Sequence, residues 1–257
     1  MAHTLPRFLI LLMKCIIGME SKIPIGNILF LDIETVPAKK SYEELDPDWQ
    51  DLFEAKVRFQ LKEDETVAEK YQQRAGILAE FNKIVCISVA FCRKVEDQEE
   101  IRVKSFAGHD EKALLSDFSE LINNYFSKDY HYLCGHNGKE FDFPVIARRM
   151  LINGVPLPKP LNNAGKKPWE VKHLDTMELW KFGDYKNFTS LKLLAALFGI
   201  PSPKDDIDGS DVARVYYEEN DLERIVKYCE KDTFTLCQVY RAMHLMPLLT
   251  EKQIKKA

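Results

Sequence analysis

The sequence predicts an α/β protein built around a mixed sheet of about five strands with helices on either side. Three observations carry that expectation. Residues 27–36 are a nearly unbroken apolar run closed by Pro37, and residues 84–92 form a second such run; these are patterns of strands buried on both faces. Residues 110–126 instead place apolar side chains at positions 114, 115, 118, 121, 122 and 125, the spacing of one helical face. Strand patterns dominate early and helix patterns late, with the two mixed between.

At 257 residues the chain is long enough for one large domain or two small ones with a well-buried core. Hydrophobic residues make up 46% and charged residues 30%, which excludes intrinsic disorder and fibrous repeats. A net charge of −4 argues against a uniformly basic nucleic-acid binder. It leaves room for a locally basic site, or one whose carboxylates bring in positive charge as metal. The six cysteines are scattered inside apolar runs, with no zinc-binding spacing, and read as buried reduced thiols. Residues 8–19 are apolar but short and broken by Lys14, too short for a membrane span, and no small-residue cleavage signature follows. Residues 1–26 are therefore expected to be an N-terminal extension or an over-extended start, residues 27–246 the domain, and residues 247–257 a C-terminal tail. The expected location is the cytoplasm, with no membrane association.

Taken in order, residues 27–36 form the first strand, and the highly charged residues 39–80 read as helices lying over the sheet, a candidate lid. Residues 84–92 and 100–106 suggest a hairpin turning at 95–99. A helix follows over 110–126, opened by an acidic cap, then a short strand at 130–135. The helix at 141–151 carries Pro144 in its first turn, where a missing backbone donor does no harm. The proline-rich residues 153–168 are a loop, 172–179 a strand running into a helix, and 189–198 a helix stopped by Gly199 and Pro201. Helices at 210–219 and 221–246 close the domain.

Acids stand where such a core should be apolar. On the first strand Asp32 and Glu34 share a face with Ile28 and Phe30, about 7 Å apart along the backbone. In a covered sheet one of two such carboxylates is expected to lose its charge unless a cation lies between them. The last helix repeats the anomaly, because the stripe of Leu222, Ile225, Cys229 and Leu236 runs through Asp232, with Tyr228 one turn earlier on the same face. Asp142 sits between a strand and the mouth of a helix, either as a cap or as a third acid of the set. A shared oxygen-rich site favours Mg²⁺ or Mn²⁺ over zinc, and hard cations with water suit phosphate chemistry.

In this order the motifs resemble the DEDD superfamily of 3′→5′ exonucleases, which share a ribonuclease H-like fold. Asp32-Ile33-Glu34-Thr35 is similar to the first exonuclease motif, Asn137 through Phe141-Asp142 to the second, and Tyr228 with Asp232 to the third in its tyrosine (DEDDy) form. His173-Leu174-Asp175-Thr176-Met177, Ser190-Leu191-Lys192 and the stretch from Gly199-Ile200 to Asp206-Ile207-Asp208-Gly209-Ser210 look like the exonuclease domain of family B DNA polymerases. They look most like the stand-alone predicted 3′→5′ exonuclease related to it. The charged 39–80 segment departs from that pattern.

The resemblance implies that Asp32, Glu34 and Asp232 hold one ion, that Asp32 and Asp142 serve a second, and that Tyr228 orients the attacking water. A phenol with a reference pKa near 10 is a poor base at neutral pH. The implied reaction releases nucleoside 5′-monophosphates from the 3′ end of single-stranded DNA, since a duplex must fray to reach such a pocket. An exoribonuclease acting on short RNA, or a catalytically silent nucleic-acid-binding module, remains as an alternative. Thr35, Asn137 and Phe141 are candidate substrate contacts, against turn hydrogen bonds for the first two and core packing for the third. His136 is a ligand, a base or structural, and Asp175 an auxiliary acid or a cap. Lys139, Arg148, Arg149, Lys166, Lys167, Lys181 and Lys186 are candidates for a phosphate-binding rim.

Overall fold

A computed structural model describes residues 23–96, 98–186, 188–201 and 207–256. The expected N-terminal extension lies almost entirely outside these. Strand β1 (Ile28–Pro37) is the centre of a mixed sheet. It pairs antiparallel with β2 (Asn82–Val95), which pairs antiparallel with β3 (Gln98–Ala107). On its other edge β1 runs parallel to β4 (Tyr132–Gly135), which runs parallel to the two-residue β5 (Leu174–Asp175). This is the α/β class expected from the sequence, and its topology is consistent with a ribonuclease H-like fold.

The sheet has six strands rather than about five. The residues read as a tail supply the sixth, β6 (Ile254–Lys256), laid parallel against β3. The preceding helix, Leu222–Met243, holds these residues in place, because the Gln238 amide exchanges hydrogen bonds with the backbone of Leu249 and the Arg241 Nε donates to the Pro247 carbonyl at 2.8 Å. A three-residue strand gives a weak periodic signal, so only this tertiary anchoring reveals it.

Side chains on alternate faces of β1 enter different cores. Leu29, Leu31 and Ile33 face the helix Glu111–Tyr125 and the helix Asp142–Ile152, with Phe118, Ile122, Ile146 and Met150 completing that layer. Ile28 and Phe30 face the 22-residue helix Leu222–Met243, through Leu236, Cys237 and Tyr240. The rings of Phe30 and Tyr240 meet edge to face at 5.4 Å, a favourable aromatic geometry. The same face of β1 continues to Asp32 and Glu34, so the strand that buries this core also carries its acids beneath the long helix.

The charged 39–80 segment is helical as expected, with helices Pro47–Val57 and Val67–Arg74. It does not simply lie over the sheet. Phe53, Tyr71, Val57 and Phe81 build a small core of their own, with Phe53 packed edge to face on Tyr71 and on Phe81 at 5.0 Å each. The Tyr71 hydroxyl closes the segment by donating to the Lys39 carbonyl. Residues 210–219, expected as one helix, form a short α-turn, Val212–Arg214, running into a π-turn, Val215–Glu219. The Tyr217 hydroxyl donates to the Pro37 carbonyl at 2.6 Å, tying the widened turn to the end of β1.

Arg149 is a correction to the expected phosphate-binding rim. It is buried and forms a bidentate pair with Glu111, whose carboxylate also accepts from the Ile84 backbone N–H and the Asn153 amide. The network clamps the Asp142–Ile152 helix to the beginning of β2. Removing one partner strands a buried charge, so Glu111→Ala is expected to destabilise the fold by about 3–5 kcal/mol. Urea unfolding of the two proteins at neutral pH measures this.

Candidate active site

Asp32 and Glu34 stand two residues apart on β1, opposite Ser88 and Cys86 of β2. The register shifts immediately after Glu34, where Thr35 pairs with Ile84 and leaves Val85 as the extra residue of β2. Val85 and Cys86 both enter the core beneath the long helix, and the Val85 carbonyl accepts from Gly108 instead of from β1. Such a bulge re-aims side chains at the end of a strand. Here it falls at the point where β1 leaves its acids.

The long helix brings the third motif over this strand end. Cys229 faces the strand fully buried, its thiol 3.4 Å from the Asp32 carbonyl oxygen and 3.5 Å from Asp32 Oδ2. One turn further lies Asp232, and the Tyr228 hydroxyl donates to its carboxylate, the i to i+4 pair the helical spacing predicts. Ligand atoms of Asp32, Glu34 and Cys229 all lie within 4.8 Å of one another. Asp142 and Asp232 stand outside that tight set, yet close enough to act on it electrostatically.

Burial dominates those electrostatics. It pushes both Asp32 and Glu34 well above the ordinary carboxylate range, and the neighbouring acids push the same way: Asp142 and Asp232 on Asp32, and Asp32, Asp232 and Asp142 on Glu34. Asp142 rises to about 7, chiefly by burial, although backbone N–H groups of Asp142 and Ile33 favour its charged form. Burial followed by Asp232 and Glu34 holds the Tyr228 hydroxyl further above its usual range, so it keeps its proton. The four acids of the three motifs thus converge on one place.

The second motif is shaped by a tight turn after β4. Gly135 and Gly138 approach so closely that a Cβ on either would lie 3.0 Å from the other's Cα, and Asn137 adopts the left-handed region at φ 61°. Asp175 organises this turn. Its carboxylate caps the helix Thr176–Lys181 through the N–H groups of Met177 and Glu178 and also accepts from the N–H groups of Asn137 and Lys139. It is therefore a cap. Asp142 begins its own helix without capping it, since the residue before it, Phe141, is the N-cap and no side chain closes that end.

The other expected site residues are committed elsewhere. The Thr35 hydroxyl donates to the Gly76 carbonyl at 2.6 Å, and Phe141 packs against the core on the opposite face of the sheet. His136 is held at both nitrogens, Nδ1 by the Thr176 hydroxyl and Nε2 by the Thr189 carbonyl, and burial lowers its pKa, so it is a neutral structural imidazole. Lys139 pairs with Glu178 at 2.7 Å. Cys229 is the residue that sequence reasoning passed over. The signal was its place three residues before Asp232 on the same stripe.

A largely buried set of mutually repelling carboxylates, with oxygen donors from two strand residues and two helices, fits divalent cations of the Mg²⁺ or Mn²⁺ type. Asp32, Glu34, Asp142 and Asp232 are the residues that would hold them.

The class of protein is that of the 3′-5′ exonucleases. More closely, the chain belongs to the family of predicted 3′-5′ exonucleases related to the exonuclease domain of PolB, whose family model matches residues 77–257. The matched stretch contains Asp142, Tyr228 and Asp232 and begins after Asp32 and Glu34. Among solved structures, the family B DNA polymerase of the hyperthermophilic archaeon Pyrobaculum calidifontis is similar at 18% identity and a TM-score of 0.45, over 81% of this chain and 24% of the polymerase. This chain therefore spans about a quarter of that protein's length. None of the curated proteins matches it in sequence. Among the described residues, no helix is long and apolar enough to cross a membrane.

The raised pKa of Asp142 makes a pH prediction for the metal-free protein. A carboxyl that titrates near 7 when folded and near 4 when unfolded contributes stability below pH 4 that is lost as pH rises through 7. In chelator, Asp142→Asn should become progressively more stable than the wild type between pH 4 and pH 7. Paired thermal melts across that range check the trend, and a constant difference would contradict it.

Proposed function

We propose that the protein hydrolyses phosphodiester bonds at the 3′ end of single-stranded DNA, releasing nucleoside 5′-monophosphates with the help of two Mg²⁺ or Mn²⁺ ions. The observation that carries this reading is the convergence of Asp32, Glu34, Asp142 and Asp232, drawn from three sequence motifs, on one largely buried and mutually repelling set. Asp32, Glu34 and Asp232 would hold the first ion, and Asp32 with Asp142 the second. Bound divalent ions supply charge stabilisation for the scissile phosphate and a water nucleophile at neutral pH.

The protein's own groups orient and exclude. Tyr228, kept protonated by burial and by the acids around it, holds and directs the attacking water rather than taking its proton. Glu34 and Asp142 are only 8% and 5% exposed, so the reacting phosphate must descend to the floor of the site. A frayed strand can do this where a paired end cannot. After the Thr176–Lys181 helix, Phe182, Tyr185 and Phe188 are presented to solvent, with Lys186 among them and the Lys181 ammonium 4.6 Å over the Phe188 ring. Exposed rings interleaved with cations suit stacked bases and their phosphates, which supports a single-stranded substrate. The preference for DNA over RNA rests on the family's relation to a DNA polymerase domain.

End-labelled single strands, blunt duplexes and matched RNA, incubated with and without Mg²⁺, test activity, polarity and substrate together. Asp32→Asn should abolish nucleotide release while the circular dichroism spectrum stays native, and near-native turnover would refute the assignment. For Tyr228→Phe a fall in rate of roughly tenfold to hundredfold is expected, with Mn²⁺ affinity retained. An unchanged rate would remove the tyrosine's role.

A further inference from the structure

The Cys229 thiol sits inside the acid cluster, where the hydrolytic reaction has no use for it. It is fully buried, lies 3.5 Å from Asp32 Oδ2, and shares with Asp32 and Glu34 a set of ligand atoms all within 4.8 Å of each other. The Cys86 thiol is buried in the same cluster as Cys229, so sulfur underlies the carboxylate oxygens of the site. Tetrahedral zinc, with bonds of about 2.3 Å to sulfur and about 2.1 Å to oxygen, spans a sulfur-to-oxygen separation of about 3.6 Å. The gap between Cys229 and Asp32 already matches that span.

Ligand chemistry then divides the cations. Mg²⁺ takes oxygen donors in octahedral geometry and passes over a thiol, whereas Zn²⁺ and Cd²⁺ gain most from sulfur. We propose that Cys229, with Asp32 and Glu34, makes the base of the site a trap for thiophilic divalent cations, above all Zn²⁺, which displaces the hydrolytic ions and holds the enzyme inactive. Binding exchanges the thiol proton for the metal: one S–H bond breaks, one S–Zn bond forms, and the proton leaves to solvent with no change of oxidation state. The inference rests on the exonuclease reading of the same site and adds to it a regulation that the carboxylates alone would not provide.

The test follows the metal itself. Metal-free full-length protein is titrated with Cd²⁺, and the thiolate-to-cadmium charge-transfer absorption is recorded for the wild type and for Cys229→Ser. A saturable band in the wild type that Cys229→Ser loses is expected, together with a rise on the order of tenfold or more in the Zn²⁺ concentration that halves hydrolysis. Absence of the band from the wild type, or an equal band in the variant, overturns the proposal. Co²⁺ bound to the wild type applies the same test without a substitution: a tetrahedral, sulfur-ligated spectrum is expected, and an octahedral all-oxygen spectrum overturns it. A Mn²⁺ titration of the wild type separates the two levels. Mn²⁺ binding without a cadmium band overturns the sulfur ligand alone, and failure to bind Mn²⁺ at all overturns the exonuclease reading with it.

Discussion

The structure is organised around an electrostatic liability: several carboxylates placed inside a covered sheet, each making its neighbours harder to ionise. A polypeptide ordinarily avoids this, because burying a charge without a partner costs several kcal/mol and the group neutralises instead. Burial and like charge both act on Asp32, Glu34 and Asp142 in that direction. Everything nearby serves to tolerate the arrangement. The central strand is apolar on both faces up to Leu31, the bulge after Glu34 shifts its register to β2 there, and backbone N–H groups are spared for Asp142.

Three separate devices deliver the acids. A strand in the middle of the sheet carries the first two, where packing on both faces leaves little freedom. A helix of 22 residues, seated on that strand by Leu236, Cys237 and Tyr240, carries Tyr228 and Asp232. The remaining acid depends on a glycine turn cross-linked by Asp175, and its helix is clamped to β2 by Glu111 and Arg149. The chemistry would therefore depend on residues that touch neither metal nor substrate.

Much of this was legible in the sequence because it broke local rules. Charges at 32, 34 and 232 interrupt apolar patterns that were otherwise clear, so both the elements and their misplaced acids could be read together. The strand face shared with Ile28 and Phe30, the helix at 110–126 and the cap at Asp175 needed only local periodicity and capping chemistry. What could not be read depended on contacts between distant residues. Arg149 looks like any surface cation until Glu111, 38 positions away, is seen buried beside it. Thr35 looks free until its hydroxyl is seen donating to the Gly76 carbonyl, and β6 has no pattern of its own. Cys229 was hidden for a different reason: a cysteine in an apolar stripe satisfies the pattern, and only its spacing of three residues from Asp232 sets it apart.

The long helix also joins two ends of the molecule. From Asp232 to Arg241 it rises about 14 Å as one unbroken rod. At its far end Arg241, 1% exposed, grips Glu99 of β3 at 2.6 Å together with the Pro247 carbonyl. Loops absorb small displacements, but a rod passes them on. The outer margin of the sheet thus acts as a foundation for the acids, and strain introduced at the closing segment would be felt as misalignment over the strand that carries Asp32.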